Sequence, residues 1–218
     1  MFDLHRVVGA RAERLTQRIT TRLARRVREL RDARGLSLDA LAARSGVSRS
    51  NISLIERGES SPTATVLDKL ASGLGVALAS LFDAPQAGGE ARAAPSPVAR
   101  VAEQPVWTDP ASGYLRRNVS PTAPSPLQLV DVVFPPGQRV AYGRADHGSE
   151  IHQQIWMIDG RMDITVDGTT WQLEAGDCLA HRLEGPIEYH NPTRRPTRYL
   201  VALATLPNAS SPPHRSQP

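Results

Sequence analysis

The chain has 218 residues, room for one large domain or two small ones, with 26 Lys+Arg against 22 Asp+Glu and a single cysteine, Cys178. One cysteine excludes an intramolecular disulfide framework and a cysteine-rich zinc site. No run of eighteen apolar residues is present, and Arg6, Arg11 and Arg14 break the apolar stretch that a secretory signal needs, so a cytoplasmic protein is expected. The net charge of +4 is unevenly spread: residues 1–60 hold 13 arginines, no lysine and 7 acids, whereas residues 61–218 hold 13 basic and 15 acidic residues. A basic front on a near-neutral body is the electrostatic footprint of a nucleic-acid module attached to something else.

In chain order, Leu15, Ile19, Leu23, Val27 and Leu30 recur at steps of four, four, four and three, which predicts an amphipathic helix from about Arg11 to Arg34. Its far face carries Arg14, Arg18, Arg22, Arg25 and Arg28. The first ten residues read either as an arm or as an extension of that helix. Ser37 is placed to cap a second helix, in which Leu38, Leu41 and Ala42 share one face. Gly46 suits a sharp, left-handed reversal, and Ser48 caps a third helix whose Ile52 and Ile55 face back onto the second. The surface left over carries Arg49, Ser50, Ser53 and Arg57. This spacing favours a DNA-binding helix-turn-helix over an ordinary helical hairpin. Arg49 and Ser50 are then candidates for base edges, with Ser53 one turn further, while Ser37, Arg44, Arg57 and Thr63 are candidates for phosphates. Ser48 joins the same DNA-facing set. Ser61 and Pro62 read as the cap and first position of a further helix over Val66, Leu67, Leu70 and Leu74, ended by the glycines at 73 and 75. Leu78, Leu81 and Phe82 read as a last short helix.

The segment Ile19 to Phe82 resembles the phage-repressor-like, XRE-type helix-turn-helix family. The run Ser53-Leu-Ile-Glu-Arg-Gly-Glu-Ser-Ser-Pro-Thr63 matches the way that family leaves its recognition helix and starts the next one. The resemblance implies a five-helix domain, here residues 11–83, whose third helix lies in the major groove.

From 84 to 105 the chain is poor in large apolar residues and rich in Pro, Gly and Ala, as an exposed linker is. Helical periodicity then gives way to short β-rich runs: Leu127–Phe134, Arg139–Tyr142, Ile151–Ile158, Met162–Val166, Thr170–Leu173, Asp177–His181, Ile187–His190 and Arg198–Ala204. Asp159-Gly160 and Asp167-Gly168 between them are hairpin signals. About eight short strands predict a small antiparallel barrel or jelly roll over 106–206. The Pro/Ser-rich tail 207–218 is expected to be disordered.

The succession Gly137, His147, Gln153 and Gly160, followed by Gly176-Asp-Cys-Leu and by Pro186 and Asn191-Pro, resembles the cupin family. Cupins are jelly-roll barrels whose two motifs supply three His and one Glu to a metal. Placed on this sequence, those four positions fall on His147, Ser149, Gln153 and Ile187. Hydroxyl and amide are poor ligands beside imidazole and carboxylate, and Ile binds no metal, so neither metal nor cofactor is expected. His181 and His190 would have to build a different site, and strand alternation puts His152 on the face opposite Gln153. His147, Ser149 and Gln153 are instead expected to line the barrel mouth or interior, with Ile155 and Met157 deeper on the same face and Ile187 and Tyr189 opposite. These residues either fill a packed core or hold a small organic ligand; the three inward polar groups favour the ligand.

The fold class expected is α + β in two domains, a five-helix helix-turn-helix bundle and an all-β cupin jelly-roll barrel. Together the resemblances imply a metabolite-responsive transcriptional regulator rather than an enzyme. Its partners would be double-stranded DNA with a palindromic operator, a small-molecule effector and a second copy of the chain, with Trp156 a candidate for the dimer contact. The alternative is an enzyme similar to the iron-dependent epoxidase of hydroxypropylphosphonate, which also joins a repressor-like domain to a cupin. That chemistry needs a two-His-one-carboxylate iron site, and Gln153 and Ile187 stand at two of the positions. A third reading is a cupin that senses nothing and only holds the dimer together.

Overall fold

Helix α1 (Leu4–Ala33) starts before the Arg11 that the apolar spacing marks, so the chain from Leu4 continues the helix rather than forming a separate arm. The computed structural model describes residues 4–82, 96–144 and 150–206, with the side chains of α1 from Ile19 onward. Ile19, Leu23, Val27 and Leu30 are all buried, as their spacing requires. Helix α2 (Leu38–Ser45) is capped by Ser37, whose Oγ accepts from the Ala40 N–H at 3.1 Å. It ends at Gly46, at φ +66°, whose N–H donates to the Ala42 carbonyl at 2.9 Å. Helix α3 (Arg49–Glu56) follows, with Ser48 Oγ accepting from the Asn51 N–H at 3.3 Å. Ile52 and Ile55 are buried against α1 and α2. Arg31 of α1 forks onto both Glu56 oxygens, at 2.7 and 2.9 Å, and donates to the Leu36 carbonyl at 2.9 Å, tying α1 to the end of α3.

Helix α4 (Ala64–Leu74) starts later than the sequence reading places it and ends at the second of the two expected glycines. Its cap is Thr63, whose Oγ1 accepts from the Val66 N–H at 3.3 Å, not Ser61 followed by Pro62. Gly73 does not end it; the helix runs on to a left-handed Gly75. Gly73 lies inside, where a Cβ would come within 2.8 Å of Ser45 Cβ, so its missing side chain lets α2 and α4 touch. The expected fifth helix is a single 3-10 stretch, Leu78–Phe82, giving four α-helices among the described residues. Five residues are too few to propagate an α-helix without strong packing along its length.

The β region has ten strands rather than about eight: β1 (Val106–Thr108), β2 (Leu115–Asn118), β3 (Leu127–Phe134), β4 (Arg139–Tyr142), β5 (Glu150–Asp159), β6 (Arg161–Val166), β7 (Thr169–Glu174), β8 (Cys178–Arg182), β9 (Ile187–His190) and β10 (Thr197–Leu206). They form a six-stranded sheet in the order β1-β2-β3-β10-β5-β8 and a four-stranded sheet in the order β4-β9-β6-β7, with every pairing antiparallel. No ladder joins the two sheets among the described residues. The expected barrel is therefore an open sandwich with its core between the sheets. Asp167-Gly168 makes the predicted two-residue hairpin between β6 and β7, with φ positive at both residues as a type I′ turn demands. Asp159-Gly160 does not. It carries the chain from β5 in one sheet to β6 in the other, pressed against Thr197 of β10. Of the expected linker, 84–95 lies outside the described residues, as does the tail 207–218. Residues 96–105 run along the six-stranded sheet, with the Ser96 N–H on Thr122 Oγ1 at 3.1 Å and the Asn118 N–H on the Pro105 carbonyl at 2.9 Å.

Helical and β parts share one apolar cluster. Trp107 of β1 packs edge-on against Phe82 of the 3-10 helix and against Tyr114, with centroids 5.6 Å apart in each pair. Asp109, buried in the β1–β2 connection, accepts the Ala64 N–H at 2.9 Å with one oxygen; the other takes the Ser112 N–H at 3.0 Å and the Ser112 hydroxyl at 2.5 Å. A carboxylate from the β part thus satisfies a first-turn donor of α4 and sits at the favourable end of its dipole. That long-range acid helps place the start of α4 two residues later than the local sequence suggests.

Candidate functional site

The first candidate surface is the exposed side of α3. Arg49 and Ser50 occupy its first turn and Ser53 the next, on one face. Arg49 is exposed, its Nε 3.1 Å from Asp39 Oδ1 of α2; such an exposed pair yields readily to a phosphate or a guanine edge. Arg57 sits just past the helix, forked onto Glu59 at 2.9 Å through both contacts and donating to Ser53 Oγ at 3.1 Å. The hydrogen bond and charge of Glu59 raise its pKa further, so it is a permanent cation. Ser37, Ser48 and Thr63 are all capping acceptors at helix N-termini. A hydroxyl that accepts from the backbone still has its own hydrogen to give to a phosphate oxygen, in the place where the helix dipole favours an anion. Ser48 and Ser50 also share a 3.2 Å contact. Arg44 is exposed near the end of α2. The structure adds Leu54, which the sequence reading passed over. It lies four residues beyond Ser50 and is 38% exposed, while its apolar neighbours Ile52 and Ile55 are buried. Leucine left in water on that face is suited to a thymine methyl.

The second candidate is a cavity of about 70 Å³ at the seam between the helical part and the sandwich. Asp68 of α4 and Leu78 and Ala79 of the 3-10 helix close one side; Tyr114, Arg116, Tyr142, Gln153, Ile187, Tyr189 and Tyr199 make much of the rest. Of the residues expected at a ligand site, Gln153, Ile187 and Tyr189 line it. Gln153 is 6% exposed, and its Nε2 donates to the Tyr189 hydroxyl at 3.0 Å. Ile155 and Met157 share the inward face of β5 but are fully buried in the core and do not line the cavity. His147 and Ser149 lie outside the described residues. Burial raises the pKa of all four tyrosines, pushing Tyr142 and Tyr199 well above the ordinary 10.0, so each remains a neutral phenol.

Of the four cupin metal positions, the two that are described, Gln153 and Ile187, do not suit a metal. The amide nitrogen of Gln153 points its hydrogens at Tyr189, Ile187 offers only carbon, and the guanidinium of Arg116 faces the same space, where it would repel a cation. Among the described residues no three His, Cys, Asp or Glu converge. His152 turns to Glu150 at 2.9 Å, His181 Nδ1 to the Arg182 carbonyl at 2.9 Å, and His190 lies 3.6 Å from Asp163.

Residues 27–81 match the HTH_3 family, described as helix-turn-helix. The amino-terminal part is a DNA-binding helix-turn-helix domain of the XRE type. The HTH-type transcriptional regulator SutR of Escherichia coli (strain K12) is 28% identical to this chain over 169 residues, 78% of this chain and 86% of that protein. The crystal structure of an HTH_3 family transcriptional regulator from Vibrio cholerae shares its fold, with a TM-score of 0.66 at 24% identity over 87% of this chain and 98% of that one. Cupin domains are also among its structural neighbours, including that of an XRE family transcriptional regulator from Enterobacter cloacae, with a TM-score of 0.34 at 15% identity over 36% of this chain and 80% of that one. This helix-turn-helix domain places Arg49, Ser50 and Ser53 on its third helix and joins a β sandwich through a shared core.

Proposed function

We propose that this protein is a sequence-specific, DNA-binding transcriptional regulator whose sandwich senses a small organic molecule. Arg49, Ser50, Ser53 and Leu54 would read base edges in the major groove, with Ser37, Arg44, Ser48, Arg57 and Thr63 on phosphates. The observation that carries the sensing half is the ownership of the cavity. Its walls come from the helix-turn-helix domain on one side and from the sandwich on the other, so an occupant touches both. Gln153, Ile187 and Tyr189 would meet that occupant, with Ile155 and Met157 supporting from behind.

The regulator would act as a homodimer, because one small head has little contact area and two-fold dimers reading palindromic half-sites supply the rest. The outer face of the six-stranded sheet suits that contact. Trp156, 48% exposed on β5, stands opposite Leu200 of β10 and Cys178 of β8, and beside them Ala202 and Ala180 flank Gln154. No described helix is long and apolar enough to cross a membrane. Selection of duplexes from a random pool by the full chain tests the reading. It is expected to enrich one sequence with two-fold symmetry; a pool that stays random after repeated rounds contradicts it.

A further inference from the structure

Strand β2 puts two adjacent arginines into opposite situations. Arg117 faces outward and shares Asp131 with Arg198. Arg116 faces inward, is 8% exposed and lines the cavity. Its Nε is buried with no hydrogen-bond partner, and no described carboxylate pairs with it. Its guanidinium carbon instead lies 4.9 Å from the ring centroid of Phe82, in the 3-10 helix of the DNA-binding domain. A buried charge that makes no ion pair is costly even with a carboxylate elsewhere in the same lining, and a cation–π contact offsets only part of that cost.

The surroundings of Arg116 complete a receptor for an anion. The Tyr189 hydroxyl accepts from Gln153 and so has its own hydrogen to give. Tyr114 and Tyr142 share one hydrogen at 2.8 Å, which leaves the second available. Gln153 Oε1 is buried without a donor. Asp68, the one acid of the described lining, accepts from the Gly143 N–H at 3.2 Å and so links α4 to the end of β4. The volume of about 70 Å³ is several times the roughly 10–15 Å³ that one water needs. A guanidinium fork matches a planar carboxylate, the ring walls suit a short carbon chain, and the bare Gln153 oxygen calls for one hydroxyl or amine.

We infer that the cavity is a carboxylate site: Arg116, with the tyrosine hydroxyls and Gln153 around it, binds a short organic acid carrying one donor group and in doing so draws its guanidinium off Phe82. The inference rests on the sensing role proposed above and names its ligand class. Exchange of an intramolecular contact with the DNA-binding domain for a contact with the ligand gives the two arrangements different affinities for that ligand, which is what coupling requires.

The test uses the full chain with 2-hydroxybutyrate, its neutral amide and inorganic phosphate as probes. The thermal midpoint is read alongside affinity for the enriched duplex. The acid is expected to raise the midpoint, the amide and phosphate to leave it unchanged, and Arg116→Met to lose the response to the acid. Arg116→Met is also expected to keep or raise the ligand-free midpoint, because it removes an unpaired buried cation. Should that variant not fold, Arg116→Lys retains the charge without the fork and is expected to need at least tenfold more acid for the same shift. An equal response to acid and amide, a response to phosphate alone, no response to the acid, or an undiminished response in the folded Arg116 variant overturns the site. A midpoint shift with no change in DNA affinity leaves the site standing and overturns the sensing role.

Discussion

Arg49 and Arg116 are both arginines without a strong partner, but water makes the difference between them. Arg49 is solvated and its contact with Asp39 is weak, so it is free to turn to a guanine. Arg49→Ala is expected to cost about 1–3 kcal/mol on the enriched duplex and to relax preference at one base pair; equal losses on enriched and random DNA would reassign Arg49 to the phosphates. The tyrosines give a pH test confined to the cavity, since Tyr114, Tyr142, Tyr189 and Tyr199 are all the tyrosines in the chain. Each has its pKa raised by burial above 10.0. A raised folded-state pKa contributes stability that is fully present below the unfolded value and is lost as pH climbs past it toward the folded value. Tyrosinate absorbance is therefore expected to appear above about pH 10 together with loss of fold, in one transition. A tyrosine that ionises near pH 10 while the sandwich stays folded would show that its hydroxyl is open to water. Much at this scale was legible in the sequence: the capping roles of Ser37 and Ser48, the outward face of α3, and the inward Gln153. Arg116 was not, because an arginine in a polar stretch reads as surface until a tertiary partner such as Phe82 is known.

The same limit operates on elements. Helices α2 and α3 follow from local spacing, caps and Gly46, all within a few residues of each other. Strands β1 and β2 were missed because they have three and four residues, and β2 spells Leu-Arg-Arg-Asn, which carries little β signal. They form ladders only because β3 offers its edge. Asp159-Gly160 misled for a related reason: a turn dipeptide specifies a reversal but not which sheet receives the next strand. The start of α4 depends on Asp109, 45 residues further along the chain. Asp109→Ala leaves the Ala64 and Ser112 N–H groups buried without acceptors, and is expected to lower stability by about 1–3 kcal/mol. It should also separate the unfolding of helical and β parts, seen as two transitions by calorimetry; an unchanged midpoint would mean that Asp109 does not tie α4 to the sandwich.

At the scale of the whole molecule, the DNA-binding domain and the sandwich do not meet as independent bodies. Phe82, Trp107 and Tyr114 form a chain of edge contacts from the 3-10 helix into the β core, and Tyr114 stacks on Phe134. The cavity and the end of the helical domain are thus joined by packed side chains. Two heads held by a dimer of sandwiches would keep a fixed spacing, and the cavity's occupancy would bias that spacing. The most direct measurement is the dissociation constant of the full chain for the enriched duplex and for its scrambled sequence, with and without the low-mass fraction of a cell extract. The account predicts binding at least ~10³-fold tighter to the enriched duplex at physiological salt, shifted about 5–150-fold by that fraction. Equal affinity for both duplexes, unaltered by the fraction, would contradict it.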